Sequence, residues 1–437
     1  MASEKTHFVS GALEKLVKIE PSEIRATFIA FFLVFLLMTA YSILRPVRDA
    51  MASDWTNAEV RDLWTIQFFL STFFVALYGV AVSHIRFSRL VPSVYGFFCC
   101  SFFLFYFVSG VVADADLVRK AFYLWVSLFS VFHISVFWSL MSDLFTKEQA
   151  GRLFGFIAAG ASVGFLVGPI LASELVDLVG TSSLTLLAAV LLIAPAFVAI
   201  YLQRLKVIDL HNESVSADLS AAKIGGNPFA GFKLFFSNPF LIGIGVFLML
   251  YTFVGTFVYF ETKNFLAAYE EATRIKILSR IDLAVNTLTL VVGMLATSRI
   301  VRRLGMPATL AMMPFGMFCC LLILAFAPIL SVLIALQIFR RAGNYAITKP
   351  GREILFTSVD RETRFKAKPV IDIVCYRGGD MASSWLYTAL SDQFAKIGLG
   401  LAALAVVGSG ISAVWGTIGI FLGRHFNREQ QSSETEA

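Results

Sequence analysis

The chain has 437 residues, of which 57% are apolar and only 15% are charged, with a formal net charge of +6. Its mean hydropathy is +0.76. A soluble domain needs more charge to cover its surface, so this composition excludes a large soluble domain. It is typical of a chain that crosses a membrane many times.

Twelve apolar runs, most of them near the ~20 residues that cross a bilayer, predict an all-α membrane protein of about twelve transmembrane helices. They lie at residues 26–44, 63–83, 90–112, 121–142, 153–173, 183–203, 239–260, 281–298, 307–327, 329–348, 369–390 and 398–423. A polar stretch divides them into two sets of six. We predict a cytoplasmic N-terminal segment (1–25), a six-helix bundle (26–203), a cytoplasmic linker (204–238), a second six-helix bundle (239–423) and a cytoplasmic tail (424–437).

The distribution of basic residues predicts the orientation. If the N-terminus is cytoplasmic, Lys and Arg are more than twice as numerous in the cytoplasmic segments as in the outer ones, as the positive-inside rule requires. Both termini are then cytoplasmic. The charged first 25 residues show no cleavable signal peptide, so we expect the first span to be an uncleaved anchor. Residues 13–24 fit either a short amphipathic surface helix or a frayed tail.

The two halves look like repeats. The segment Tyr95–Cys100 in the third run reads YGFFCC, and Phe315–Cys320 in the ninth reads FGMFCC. The two segments are separated by about half of the chain, as expected for an internal duplication. Together with the central linker, this similarity indicates the parallel-repeat plan of major facilitator transporters, whose substrate site lies near the membrane midplane.

Charged residues in three runs are candidate substrate-binding positions, because an ionisable side chain at bilayer depth is costly and normally faces a cavity or a partner. The first group is Arg45, Arg48 and Asp49, after the first run. They lie in the outer half of the span if its helix continues to about Met51. In the alternative, Pro46 ends the helix and they lie in a loop.

The second group lies in the tenth run, where only eleven apolar-type residues precede Arg340 and Arg341. Eleven residues are too few to cross a bilayer, so the helix must continue toward Glu353. That path adds Lys349 and Arg352 to the candidates and brings at least one arginine near mid-depth.

The eleventh run supplies the third group. Its members are Lys366, Lys368, Asp372, Arg377 and Asp380. Asp372, Tyr376 and Asp380 are four residues apart, so a helix places them on one face. We expect some internal pairing here, such as Asp372 with a neighbouring arginine, and the alternative is a purely structural network of salt bridges.

Cations outnumber carboxylates by about two to one across the three groups. A water-filled cavity lined in this way attracts anions. Arginine binds phosphate or carboxylate with two parallel hydrogen bonds, whereas lysine acts as a point charge. We therefore predict a small anionic metabolite with several negative charges as the substrate, rather than a sugar or a cation.

The sequence contains no catalytic or phosphate-loop motif, so we expect neither an enzyme nor ATP hydrolysis as the energy source. The five cysteines lack the spacing of a zinc site, and we interpret them as small core residues. We expect no metal and no cofactor. His133 is the only histidine inside a run, and we interpret it as a packing residue rather than a proton relay.

Three stretches resemble the ATP/ADP translocases, the nucleotide exchangers of plastids and obligate intracellular bacteria. They are Ile43–Ala50, Phe137–Phe154 and, most specifically, Pro350–Phe356 followed by Lys366–Cys375. The resemblance covers most of the chain and implies a nucleotide transporter within the major facilitator superfamily.

The resemblance also implies roles for single residues. Arg48 stands where the family has a functional lysine, and Glu353, Lys368 and Asp372 match its acid, lysine and aspartate. The stretch after Cys375 departs from the plastid exchangers, which have a longer Gly-Lys-containing run there. In this respect the chain is more similar to the relatives in free-living bacteria.

These observations favour a secondary transporter of a polyanionic, phosphorylated metabolite, with nucleotides as first candidates, that works by alternating access in a bacterial inner membrane. Exchange is one possible mode. One alternative is a proton-coupled transporter of another organic anion, with Asp143, Asp380 or Glu353 as proton carrier. Another is a membrane scaffold or lipid-handling protein that has lost transport. We expect the anionic metabolite and membrane lipid as partners, no nucleic acid, and a monomer.

Overall fold

The computed structural model describes residues 19–85, 87–112, 114–210, 212, 230–359, 363, 367–368 and 370–436. Throughout these residues the regular structure is helical, with no strand. The prediction of an all-α membrane protein with two six-helix halves is confirmed. The surface helix considered for residues 13–24 lies mostly outside the described residues, and the first described helix begins at Ile24.

The described part of the first half contains five α-helices, the last of which holds two predicted spans. They are α1 (Ile24–Met51), α2 (Asn57–His84), α3 (Phe87–Ser109), α4 (Ala115–Leu144) and α5 (Lys147–Ile208). Gly180 breaks α5 with a φ of 78° and a ψ of 167°. Side chains with a Cβ disfavour that conformation, so a single glycine turns the chain between the fifth and sixth spans.

Eight α-helices lie in the second half where the structure describes it. They are α6 (Ala230–Ser237), α7 (Pro239–Leu266), α8 (Glu271–Leu295), α9 (Thr297–Phe326), α10 (Leu330–Gly343), α11 (Lys349–Leu355), α12 (Tyr376–Lys396) and α13 (Leu401–Glu436). A π-helical turn, Asn344–Thr348, joins α10 to α11, and another, Val370–Cys375, leads into α12. The tenth span is therefore helical from Leu330 to Leu355, which confirms that it continues past Arg340 and Arg341.

Nine helices in the described part of the chain are long and apolar enough to cross a membrane. The chain is thus a multi-pass membrane protein. α5 counts once among the nine, although it suffices for two crossings. Its 62 residues have a total helical length of about 93 Å, which the turn at Gly180 divides. The helices α10 and α11 are individually too short to qualify, at 14 and 7 residues, and α12 is long enough but too polar.

One smaller expectation differs from the structure. The cysteine interpretation was wrong for Cys100 and Cys319, which are exposed, whereas Cys99 and Cys375 are buried. Neighbouring residues of a helix point in different directions, so both members of a Cys-Cys pair cannot face the core. Residues 424–436 of the predicted tail continue α13 as a helix.

The helices form two compact units. Unit 1 consists of Met1–Met51, Phe69–Ile224 and Glu271–Leu283, and unit 2 of Ala52–Phe68, Gly225–Glu270 and Ala284–Ala437. Each unit has its own cluster of buried apolar side chains. The first part of α8 thus belongs to unit 1, although it comes from the second half of the sequence.

In unit 1, α5 packs closely on α1 through glycines spaced four residues apart. Gly160, Gly164 and Gly168 face the backbone of α1. A Cβ atom at Gly164 would lie 2.6 Å from the carbonyl oxygen of Phe35 and 2.8 Å from the Cβ of Met38. Small residues at this spacing let two membrane helices approach at backbone distance.

A buried ion pair connects the end of α4 to the end of α5. Lys206 Nζ lies 3.2 Å from Asp143 Oδ1, and each side chain is only 6% exposed. Gln203 donates a hydrogen bond of 3.1 Å to the other carboxylate oxygen. Asp143, a candidate proton carrier, therefore has a cation and an amide as partners.

Substitution of Gly164 with Ala should destabilise unit 1 by about 1–3 kcal/mol, because the added methyl group overlaps the α1 backbone. Gly155→Ala is the matched control on the same helix, since nothing lies within 4 Å of its Cβ position. Thermal unfolding of the purified variants in one detergent measures the difference. A G164A midpoint at or above that of G155A would contradict the close packing.

Lys206→Met and Asp143→Leu should each lower the free energy of unfolding by about 3–5 kcal/mol, because each leaves a buried charge without this counter-charge. The double variant removes both charges, and we expect it to be more stable than either single variant. Denaturant unfolding of the four proteins tests this expectation. Additive losses in the double variant would show that the two side chains do not interact.

Candidate functional site

The predicted site residues fall into three groups, one in unit 1 and two in unit 2. We call them the α1 group (Arg45, Arg48 and Asp49), the α11 group (Arg352, Glu353, Lys368 and Asp372) and the central group (Arg340, Arg341, Arg377 and Asp380). Lys349 is exposed at the start of α11, and Lys366 lies outside the described residues.

The α1 group lies on a helix rather than in a loop. α1 continues through Pro46 to Met51, so the loop alternative is wrong. Arg48 Nη2 lies 2.7 Å from Asp49 Oδ1, and Arg45 Nε lies 3.8 Å from Asp49 Oδ2. One carboxylate therefore faces two guanidinium groups on consecutive turns.

Sequence reasoning missed a second acid in this group, Asp282 of α8. Its Oδ2 atom lies 3.8 Å from Arg45 Nε, and its side chain is 7% exposed. Asp282 lies within the predicted eighth run, so the argument from charges at bilayer depth applied to it as well. With Asp282 included, two arginines meet two aspartates, and the formal charge of the group is zero.

Arg48 has further partners on α4. Its Nη1 atom donates a hydrogen bond of 3.2 Å to Ser127 Oγ, and its guanidinium lies 5.5 Å from the ring centroid of Tyr123. These contacts fix the guanidinium plane, so a lysine at this position would not reproduce them.

The α11 group consists of two cations and two carboxylates. Arg352 Nη2 lies 3.1 Å from Asp372 Oδ1 and 3.5 Å from Glu353 Oε1, and Lys368 Nζ lies 2.5 Å from Glu353 Oε2. The expected pairing of Asp372 with a neighbouring arginine is confirmed. The formal charge of these four side chains is zero, and Lys349, which is within electrostatic range of Asp372, adds one positive charge.

The expectation that Asp372 and Asp380 act from one helix face is wrong. Val370–Cys375 is π-helical, and the wider π turn changes the register of the residues that follow. Asp372 consequently contacts Arg352, whereas Asp380 Oδ2 lies 3.8 Å from Arg377 Nη1. The two aspartates belong to different groups.

The central group brings Arg340 of α10 against α7. Arg340 is 9% exposed; it donates hydrogen bonds to the Tyr251 hydroxyl at 3.4 Å and to Gln337 Oε1 at 3.0 Å. A Cβ at Gly255 would lie 2.8 Å from Arg340 Nη1. The absence of a side chain at Gly255 therefore makes room for the guanidinium.

Three tyrosines surround the charges of the central group. The guanidinium of Arg340 lies 5.7 Å from the ring centroid of Tyr251, and that of Arg377 lies 6.0 Å from the ring of Tyr376. Tyr251, Tyr345 and Tyr376 are within electrostatic range of one another, and Asp380 is within range of Arg340. Sequence reasoning did not find Tyr251 or Tyr345, because a lone tyrosine in an apolar run has no distinguishing signal.

The central and α11 groups differ in charge and in their position along the tenth span. The central group has three arginines and one aspartate, which gives an excess of two formal positive charges. Arg340 lies ten residues after Leu330, or about 15 Å along the helix, which is near the middle of a hydrocarbon core of about 30 Å. Arg352 lies at the far end of the same helical path.

This arrangement is suited to binding an anion. Arginine forks and phenol hydroxyls donate hydrogen bonds, and the tyrosine rings offer flat apolar faces. Within the described ranges, no cluster of three or more His, Cys, Asp or Glu side chains could hold a metal ion.

Comparison with known structures identifies the fold. A bacterial homologue of the iron transporter ferroportin is 12% identical, with a TM-score of 0.65 over 92% of this chain and 99% of the other. The nucleoside transporter NupG is 14% identical (TM-score 0.59; 92% and 99% covered). A D-xylose-proton symporter is 13% identical (TM-score 0.60; 92% and 97% covered). At these identities the similarity concerns the fold alone.

Comparison of the sequences identifies the family. No curated protein sequence matches the chain. The family model described as the Major Facilitator Superfamily matches residues 27–350, which is most of the chain and extends across both halves. Family and fold together support secondary transport rather than enzymatic catalysis. The chain therefore belongs to the major facilitator superfamily.

Proposed function

We propose that this protein transports a polyanionic, phosphorylated metabolite, with nucleotides as first candidates, and that the central group binds the anion. The proposal rests on Arg340, which is 9% exposed and donates its hydrogen bonds to uncharged partners, the Tyr251 hydroxyl and Gln337 Oε1. In the α1 and α11 groups, by contrast, arginines contact carboxylates directly. Uncompensated charge inside a membrane protein is costly, so an anionic substrate would offset it.

The side chains of the central group also suit a nucleotide. Phosphate oxygens match arginine forks, and a base can stack on a tyrosine ring. The resemblance of Pro350–Phe356 and Lys366–Cys375 to the ATP/ADP translocases supports the same substrate class. That family's functional positions fall on Arg48, Glu353 and Lys368, so substrate phosphates would compete with carboxylates for the cations of the α1 and α11 groups.

The cationic character of the central group favours exchange as the mode of transport. Phosphate oxygens in contact with its arginines offset their charge, so the loaded form crosses between access states at lower cost than the empty one. We place the protein in a bacterial inner membrane, as a monomer with both termini cytoplasmic, with bundles at residues 26–203 and 239–423 and no cofactor.

One observation favours a second candidate, a proton-coupled transporter of another organic anion. Asp380 is the carboxylate of the central group, and Arg377 and Arg340 are the cations within its range. Protonation of Asp380 would raise the positive charge of the group by one. An anion and a proton would then be carried together.

Purified protein in liposomes preloaded with unlabelled nucleotide should take up labelled nucleotide. Arg340→Ala should reduce this uptake at least tenfold, because it removes a buried anion donor, and Arg340→Lys should restore it only in part. Arg299→Ala, at an exposed arginine, is the matched control and should transport normally. Failure to take up ATP, ADP, other nucleoside triphosphates or phosphate would refute the nucleotide proposal.

A pH-sensitive dye inside the same liposomes separates the two modes of transport. Exchange of nucleotide for nucleotide should proceed without a change in internal pH. The Asp380→Asn variant should also exchange nucleotides, again without a change in internal pH. Proton coupling would instead be established by two results together. The interior of empty liposomes would acidify when the wild-type protein takes up the anion, and the Asp380→Asn variant would lose this acidification while it still binds the anion.

A further inference from the structure

Unit 1 contains a cavity of about 210 Å³. Its lining comes from the end of α3, the start of α4, the residues after the Gly180 turn, Met51 at the end of α1 and Glu271 at the start of α8. None of the predicted substrate-binding residues lines it. The cavity therefore requires a separate explanation.

The segments around this cavity share one predicted side of the membrane. The connections after α1 and α3, the turn at Gly180 and the connection before α8 all fall outside in the orientation that the basic residues predict. Their helices begin or end at the cavity. It therefore lies at the level of the lipid headgroups of the outer leaflet.

The lining contains one cation and one carboxylate side by side. Arg119 Nη2 lies 3.4 Å from Glu271 Oε2, and the two side chains are 29% and 34% exposed. Hydroxyl groups of Thr181, Ser182 and Thr185 belong to the same lining. A ligand that carries both a phosphate and an ammonium group complements such a pair, with phosphate on the guanidinium and ammonium on the carboxylate.

Large apolar side chains flank the lining in sequence and are exposed. Leu104 is 61% exposed and Phe107 63%, on either side of the lining residues Phe105 and Tyr106. Leu117 on α4 is also 63% exposed. In a membrane protein such surfaces face acyl chains. A lipid whose headgroup lies in this cavity can therefore place its acyl chains against these apolar side chains.

We propose that this cavity binds the headgroup of an outer-leaflet phospholipid with a primary ammonium group, of the phosphatidylethanolamine type. A primary ammonium has three N–H donors for Glu271, whereas the quaternary ammonium of phosphatidylcholine has none. Phosphatidylglycerol has no cation to place against Glu271. This site is independent of the proposed transport function.

Native mass spectrometry of the delipidated full-length protein tests the proposal. Phosphatidylethanolamine, phosphatidylcholine and phosphatidylglycerol with identical acyl chains are each titrated in. We expect phosphatidylethanolamine to bind at least tenfold more tightly than the other two. Arg119→Gln and Glu271→Gln should each abolish that preference.

Lys120→Gln is the matched control. Lys120 is the next residue on α4 and pairs with Asp116 at 2.7 Å but does not line the cavity, so this variant should keep the preference. Equal binding of the three lipids by the wild-type protein would overturn the proposal. This comparison uses the wild-type protein alone, so it does not depend on whether the variants fold. Displacement of the bound lipid by equimolar soluble glycerophosphoethanolamine would also overturn it, because the ligand would then be a free zwitterion.

Discussion

The cost of ionisable side chains at bilayer depth constrains how α10, α11 and α12 are built. Each charge there needs a partner or a polar cavity. Two π-helical turns, Asn344–Thr348 and Val370–Cys375, lie within these paths. Such turns shift the register of a helix and are frequent at functional sites. Here the second turn separates Asp372, which contacts Arg352, from Asp380, which contacts Arg377.

The same constraint explains why the arginines of the three groups have different partners. In the α1 and α11 groups arginines contact carboxylates directly, which lowers the cost of holding them in the membrane without a ligand. In the central group Arg340 donates its hydrogen bonds to Tyr251 and Gln337, which are uncharged. A buried cationic group of this kind is costly and is retained only if a ligand binds to it. We therefore assign the anion to the central group rather than to the longer run of charges around α11.

The sequence predicted most of the helices and several site contacts for identifiable reasons. Apolar runs of bilayer length required helices, and the short run before Arg340 required that its helix continue toward Glu353. The π-helical turns and the contact between Asp282 and Arg45 could not be predicted, because they depend on backbone register and on packing between distant segments. The π-helical turns have no pattern of their own in side-chain polarity. Asp282 was visible as a charge in an apolar run, but its partner Arg45 is distant in sequence and follows only from the packing of α8 in unit 1.

The segment Glu271–Leu283 connects the lipid cavity to the α1 group. Glu271 pairs with Arg119 at the cavity, Lys276 pairs with Asp177, and Asp282 pairs with Arg45. Glu271 and Asp282 are about 16 Å apart along α8, which is the distance from headgroup level into the hydrocarbon core. A lipid that engages Glu271 acts on one end of a rigid helix whose other end supplies a carboxylate to Arg45. Its effect on the contact between Arg45 and Asp282 then depends on whether it favours the position of α8 in which the two side chains meet.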